Sequence, residues 1–160
     1  MRRTELPRLM AALKRPVDSF VRESRVRVSL LVSHSGQVLA QHGFTRAYEV
    51  MNVASLAAAA HASSRMLSEV TRSGRWSHMY HAGRQRQLFL APLTTSAGEM
   101  ILVVVHDRES SLGLVQVFFE RLFGEVAQLG RVETGSTDQV SFERDLNAGL
   151  ERVFPESAEE

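Results

Sequence analysis

The sequence contains no cysteine, which excludes a disulfide framework, a thiolate metal site and a cysteine nucleophile. Lysine is nearly missing as well. Lys14 is the single one, and every other basic side chain is arginine, a pattern read first as codon usage and only second as a functional signal. Neither sign of charge dominates. A formal net charge of +1 over 160 residues provides no strong field to hold nucleic acid or an anionic membrane. Long apolar runs are absent too. The longest, residues 100–105, is far too short to span a bilayer, so no membrane insertion is expected. The opening Met1-Arg2-Arg3-Thr4-Glu5-Leu6-Pro7 leads into an amphipathic pattern rather than an apolar leader core, so a cytoplasmic location is expected.

Signatures of catalysis are equally scarce. There is no Gly-x-Ser-x-Gly elbow, and Ser35-Gly36 is accounted for by a turn. There is no Gly-x-x-x-x-Gly-Lys-Ser/Thr loop to cradle phosphates. His78 and His81 are the most closely spaced histidines, but residues three apart on a strand point to opposite faces and cannot chelate together. His34 and His42 sit in or beside hairpin turns, and His61 and His106 are expected at element surfaces or ends. Asp107-Arg108-Glu109 reads as a solvated loop and Arg84-Gln85-Arg86 as a strand-connecting turn. No cofactor, metal or catalytic residue is assigned, and the chain is read as a non-catalytic protein.

What is present is a full set of α/β elements in a length suited to one domain. Leu6, Leu9, Met10, Leu13, Val17, Phe20 and Val21 recur at helical spacing, with Pro16 kinking or restarting that helix. Residues 26–32 and 37–40 form a hairpin across Ser33-His34-Ser35-Gly36, where Gly36 supplies a positive φ. Asn52 is placed to cap a second helix over 52–73, ended by Gly74. Strands are expected at 76–81, 87–94 and 100–106, the last apolar throughout and therefore central. Ser110 or Ser111 then caps a last long helix with Leu112, Val115, Phe119, Leu122, Phe123, Val126 and Leu129 on one stripe. The expected organisation is a domain over 1–132, a small polar linker over 133–140, a short amphipathic helix over 141–155 and an acidic tail over 156–160. The segment after the linker reads as a contact arm.

The second helix is the informative element. Alanine and serine on nearly every side fill little core volume but let another backbone approach closely. That points to partner binding; the alternative is a helix lying flat on its own sheet with its small face outward.

Three segments, in this order, resemble the Roadblock/dynein light chain superfamily, and within it the bacterial MglB-like proteins. Leu30-Leu31-Val32-Ser33-His34-Ser35-Gly36-Gln37-Val38-Leu39-Ala40 is similar to that family's strand, turn and strand. Asn52-Val53-Ala54-Ser55-Leu56-Ala57-Ala58 is similar to the start of its second helix, and Val104-Val105-His106-Asp107-Arg108-Glu109-Ser110-Ser111-Leu112-Gly113-Leu114-Val115 to its last strand and helix. The resemblance covers about residues 26 to 130, and 141–154 is similar to a short C-terminal helix of MglB-like proteins. It implies an α/β sandwich of order helix-β-β-helix-β-β-β-helix, with a five-stranded antiparallel sheet, the second helix on one face and the first and last on the other. It implies a homodimer through the second helices and third strands, for which Ser55, Ala59, His78 and Tyr80 are the candidate residues. It also implies binding, by Ala58, Ala62, Arg65, Met66 and Glu69, to a small Ras-like GTPase of the MglA type, whose hydrolysis the dimer stimulates without an arginine finger, in cell polarity or gliding motility and with concentration at a cell pole.

This sequence has Ser33 where the family's turn usually has aspartate, and Arg65 and Met66 where MglB-like helices keep small residues. The second feature favours an alternative, a Roadblock scaffold that joins another Roadblock protein or a polarity adaptor without stimulating a GTPase. A small-molecule sensor of PAS or profilin-like shape is a third reading of a similar mixed sheet.

Overall fold

The computed structural model describes residues 5–44, 46–95 and 98–134. The elements are α1 (Glu5–Ser24), β1 (Val28–Ser33), β2 (Val38–His42), α2 (Ala47–Thr71), β3 (Met79–Ala82), β4 (Gln87–Thr95), β5 (Gly98–His106) and α3 (Leu112–Thr134). The five strands form one antiparallel sheet of order β2-β1-β5-β4-β3. The order of elements is the one read from the sequence, and the five-stranded antiparallel sheet is the one the resemblance implies. The expected short helix over 141–155, most of the linker and the acidic tail lie outside the described residues, and α3 runs two residues past the expected boundary at 132.

The alternation of each strand divides the apolar residues between two cores. Leu31, Phe89, Ala91, Leu93, Leu102 and Val104 face α1 and α3, where they meet Leu9, Leu13, Val17, Phe20, Val115, Phe119, Leu122 and Val126. Leu30, Val32, Leu90, Ile101 and Val103 face the other way and meet only Val50, Ala54 and Ala57 of α2 as fully buried apolar partners. α1 continues through Pro16 as one helix. Ser24 at its end gives its hydroxyl to the Phe20 carbonyl and takes a bond from the Ser110 hydroxyl on its own carbonyl, tying α1 to the start of α3.

The hairpin turn is built as the sequence suggests. The Ser33 hydroxyl accepts the Gln37 N–H at 3.1 Å, serving as the turn acceptor in place of an aspartate, and Gly36 holds φ +84°.

The strand ends shift by one or two residues from expectation, and three larger differences concern α2 and β3. α2 starts at Ala47, five residues before Asn52, and Arg46 at its N-cap offers no side-chain bond. Val50 explains the early start, because it stands one turn before Ala54 on the buried stripe and extends the helix through tertiary contact. α2 ends at Thr71, where Arg72 takes the left-handed conformation at φ 52° and Ser73 N–H bonds the Ser68 carbonyl, so the stop precedes Gly74. β3 begins only at Met79, which leaves Trp76 and His78 in the preceding loop rather than on a strand. No described helix is long and apolar enough to cross a membrane.

Two of these contacts can be tested by substitution. Gly43 leaves β2 at φ +81°, and an added Cβ would overlap the Arg27 carbonyl oxygen. Gly43→Ala is therefore expected to destabilise by more than the ~1–3 kcal/mol of a strained non-glycine residue alone, read from urea unfolding. The second concerns Asp107, just after β5. Its carboxylate accepts the Glu109 N–H at 3.0 Å and the Arg27 guanidinium from the chain entering β1. The backbone bond from Glu109 first, and then the hydrogen bond and charge of Arg27, lower its pKa below the ordinary 3.8. A lowered folded-state pKa adds stability that is complete above the unfolded value and is lost as pH falls through the folded one. The stability difference between wild type and Asp107→Asn should thus be constant near neutrality and shrink below about pH 3.8, measured by urea unfolding at a series of pH values.

Candidate functional site

α2 is 25 residues long and buries only Val50, Ala54, Ala57 and His61. Their spacing of four, three and four puts them on one narrow stripe. Much of the rest of the circumference is open, and its outer side carries large apolar side chains. Tyr48, Met51, Leu56, Met66, Leu67 and Val70 are all exposed, Leu56 at 70% and Val70 at 80%. Leu56, Met66 and Val70 project away from the sheet with Asn52, Ala59 and Ser63 between them, and Leu67 lies beside them. A contiguous apolar strip of this kind marks an interaction surface more often than it is left to water.

The residues named from sequence fall on that helix in two ways. Ala62, Arg65, Met66 and Glu69 are exposed along one flank, with Arg65 and Glu69 in a loose ion pair at 3.9 Å. Ala58 is half-buried, because it packs toward the hairpin turn: a Cβ on Gly36 would stand 3.7 Å from its own. Ser55 and Ala59 are exposed on the outer side, and the Ser55 hydroxyl turns back to the Met51 carbonyl at 3.0 Å.

His78 and Tyr80 do not join them. Tyr80 lies opposite Phe89 in the β3–β4 register and stacks on His106, with centroids 6.2 Å apart. The His78 ring stacks on Phe89 at 5.4 Å and its Nε2 lies 3.3 Å from Gln116 of α3. Both side chains therefore sit on the α1/α3 side of the sheet, across from Ser55 and Ala59. What β3 does share with α2 is position at a boundary: it is an edge strand, and among the described residues its outer edge pairs with nothing.

One histidine departs from its expected place: His61 is not at a surface but 4% exposed, whereas His106 ends β5 as expected, though it too is buried, at 2%. His61 stands seven residues after Ala54 and so on the buried stripe; His106 ends β5 but continues the inward alternation of Leu102 and Val104. Leu56, Leu67 and Val70 are exposed apolar residues of this candidate surface that the sequence does not single out, although helical spacing from the Val50-Ala54-Ala57 stripe would have set them on the outer side. Among the described residues no three histidine, aspartate or glutamate side chains come together as a metal site.

The sequence matches the Roadblock/LC7 domain over residues 14–106, more than half of the chain and short of α3. No curated protein matches it in sequence. Among solved structures it is similar to Myxococcus xanthus MglB, at 23% identity and TM-score 0.68 over 86% of this chain and 98% of that one. It is similar to the gliding protein MglB of Thermus thermophilus, at 22% identity and TM-score 0.66 over 76% of this chain and 90% of that one. An MglB with a tetrameric arrangement aligns at 22% identity and TM-score 0.64, over 77% of this chain and 90% of that one. At these identities the likeness is one of fold.

Proposed function

The chain belongs to the Roadblock/LC7 domain family, and from that premise we propose that it is a homodimeric regulator of a small Ras-like GTPase of the MglA type, raising that partner's rate of GTP hydrolysis. The observation that carries this reading is the outer face of α2. A helix that leaves Leu56, Met66, Leu67 and Val70 in water is built to be covered. The similar MglB structures, one of them with a tetrameric arrangement, support self-association as part of the cover.

The two jobs divide along the helix surface. Self-association uses the outer strip, with Ser55 and Ala59 permitting close approach of a second α2, together with backbone pairing at the open edge of β3. His78 and Tyr80 then contribute from beneath the joined sheets rather than at the helix seam. The flank of Ala62, Arg65, Met66 and Glu69 meets the GTPase. Phosphoryl transfer depends mainly on positioning and charge stabilisation, so a partner can accelerate it by ordering the GTPase's own switch loops. The cellular setting of such a regulator is bacterial polarity or gliding motility, in the cytoplasm and concentrated at a pole.

A specific feature favours a second reading, a Roadblock scaffold that joins another Roadblock protein or a polarity adaptor without stimulating hydrolysis. Arg65 and Met66 are large and exposed on the flank that would meet the GTPase, and they enlarge a face that MglB-like helices keep small.

The purified chain should accelerate single-turnover GTP hydrolysis by its cognate GTPase, and Met66→Asp should reduce that acceleration at least tenfold. Capture of a Roadblock paralogue with no GTP-dependent capture of the GTPase would decide for the scaffold. Leu67→Asp with Val70→Asp should weaken self-association at least tenfold, about 1.4 kcal/mol, in sedimentation equilibrium. Because both side chains are exposed, protomer stability should move by no more than ~0.5 kcal/mol per site. Unchanged association of the double variant would place the dimer seam elsewhere.

A further inference from the structure

The inner stripe of α2 changes character after Ala57. The inward positions that follow are His61 and the half-buried Ser64 and Ser68 rather than apolar side chains, and the helix no longer seals against the sheet. Between this half of α2, the loop through Gly74, Arg75 and Trp76, and the strands at Pro92 and Glu99 there is a cavity of about 440 Å³. That is the size of a small-molecule site.

Its lining is chemically divided. On the inner side are Trp76, Pro92 and the buried His61, whose ring is 5.4 Å from that of Trp76. Around the mouth stand Arg65, Arg72 and Arg75, against the carboxylates of Glu69 and Glu99. Three guanidinium groups to two carboxylates leave a positive excess. The carboxylates are also partly committed: Glu69 lies 3.9 Å from Arg65, and a Glu99 oxygen is 3.3 Å from His61 Nε2. Arg75 donates to the Thr94 hydroxyl at 2.5 Å, while the Arg72 side chain has no hydrogen-bond or ion-pair partner among the described residues.

His61 is the sharpest feature of the cavity. It is more than nine-tenths buried, and neither ring nitrogen has a hydrogen-bond partner. The Glu99 oxygen is near enough for electrostatic attraction but is not aligned as an acceptor. An imidazole buried without partners forfeits the hydrogen bonds it would make in water, a loss that a bound polar group would recover.

We propose that this cavity is a binding site for a small ligand that combines a phosphate with a planar heteroaromatic ring, a mononucleotide in chemical class. The arginine fork matches phosphate oxygens in a way a point charge does not. Arg72 and Arg75 receive the phosphate at the mouth, Trp76 presents a ring face to the heterocycle, and His61 with Glu99 bonds the ring's polar edge or a sugar hydroxyl. The site is separate from the apolar outer strip of α2, shares Arg65 and Glu69 at its mouth with the flank proposed to meet the GTPase, and does not rest on the identity of any protein partner.

Isothermal titration of the full chain with AMP, GMP, adenosine and inorganic phosphate tests the assignment. At least one mononucleotide should bind ten times more tightly than both adenosine and phosphate, and raise the melting temperature. Arg72→Ala with Arg75→Ala should weaken that mononucleotide at least tenfold and leave adenosine unchanged. Trp76→Ala should weaken the mononucleotide and adenosine but leave phosphate unchanged, and Trp76→Phe should restore most of the loss if the alanine variant is poorly folded. A mononucleotide that binds no better than inorganic phosphate, or binding that survives both sets of substitutions, would overturn the proposal.

Discussion

The fold depends on a strand that cannot be reached by water from either side. β5 pairs with β1 and β4 along its length and buries Met100 to Val104. A strand in that position must be apolar on both faces, and each face must be covered by a layer of its own. The two layers are unequal. α1 and α3 together supply a thick apolar cover on one side, whereas the other side has α2 alone, seated over β1, β2 and β5. The small inward side chains Ala54 and Ala57 let α2 lie close but give it few contacts. Its outer apolar strip and the cavity under its second half are both results of one helix having to cover a face wide enough for two.

Elements whose identity is set locally are legible in the sequence. The unbroken apolar run of β5, the stripe of α3 from Leu112 to Val126 and the turn at Gly36 require only period and turn chemistry. What is not legible is decided by contacts between distant segments. Asn52 has the right side chain for a cap, yet the burial of Val50 moves the helix start back to Ala47. Gly74 is the residue that usually follows a helix end, yet Arg72 carries the left-handed turn, at a cost of about 1–2 kcal/mol for a side chain with a Cβ. Such a residue is tolerated because the 68–73 backbone bond closes the helix there.

The candidate site is only half legible for a related reason. Small residues announce that α2 can be approached closely, and helical phase places Ala62, Arg65, Met66 and Glu69 together. Tyr80 falls outside that group because sequence does not say which side of a sheet a strand residue faces until its register is known. The pairing of Tyr80 with Phe89 settles that. His78 falls outside it as well: in the loop before β3, it takes its side from its stack on Phe89. His61 shows the same limit from the other direction. A histidine among alanines looks solvent-facing, and only the phase fixed by Val50 and Ala54 reveals that it points inward, toward Glu99 and Trp76.

The sheet has two different ends. At one, β2 is flanked by polar groups, with His42 and Asp18 3.7 Å apart between strand and α1, the kind of charged border that discourages strand addition. At the other, β3 offers Met79, Tyr80, His81 and Ala82, which like β2 include no carboxylate or guanidinium, but among the described residues no ion pair between strand and helix borders it. Joining β3 to β3 is a twofold operation that uses up both open edges and stops, whereas joining β3 to β2 would repeat without end. In the self-association proposed above, the unequal borders would act as a counting device, favouring a closed pair of chains over a growing fibre.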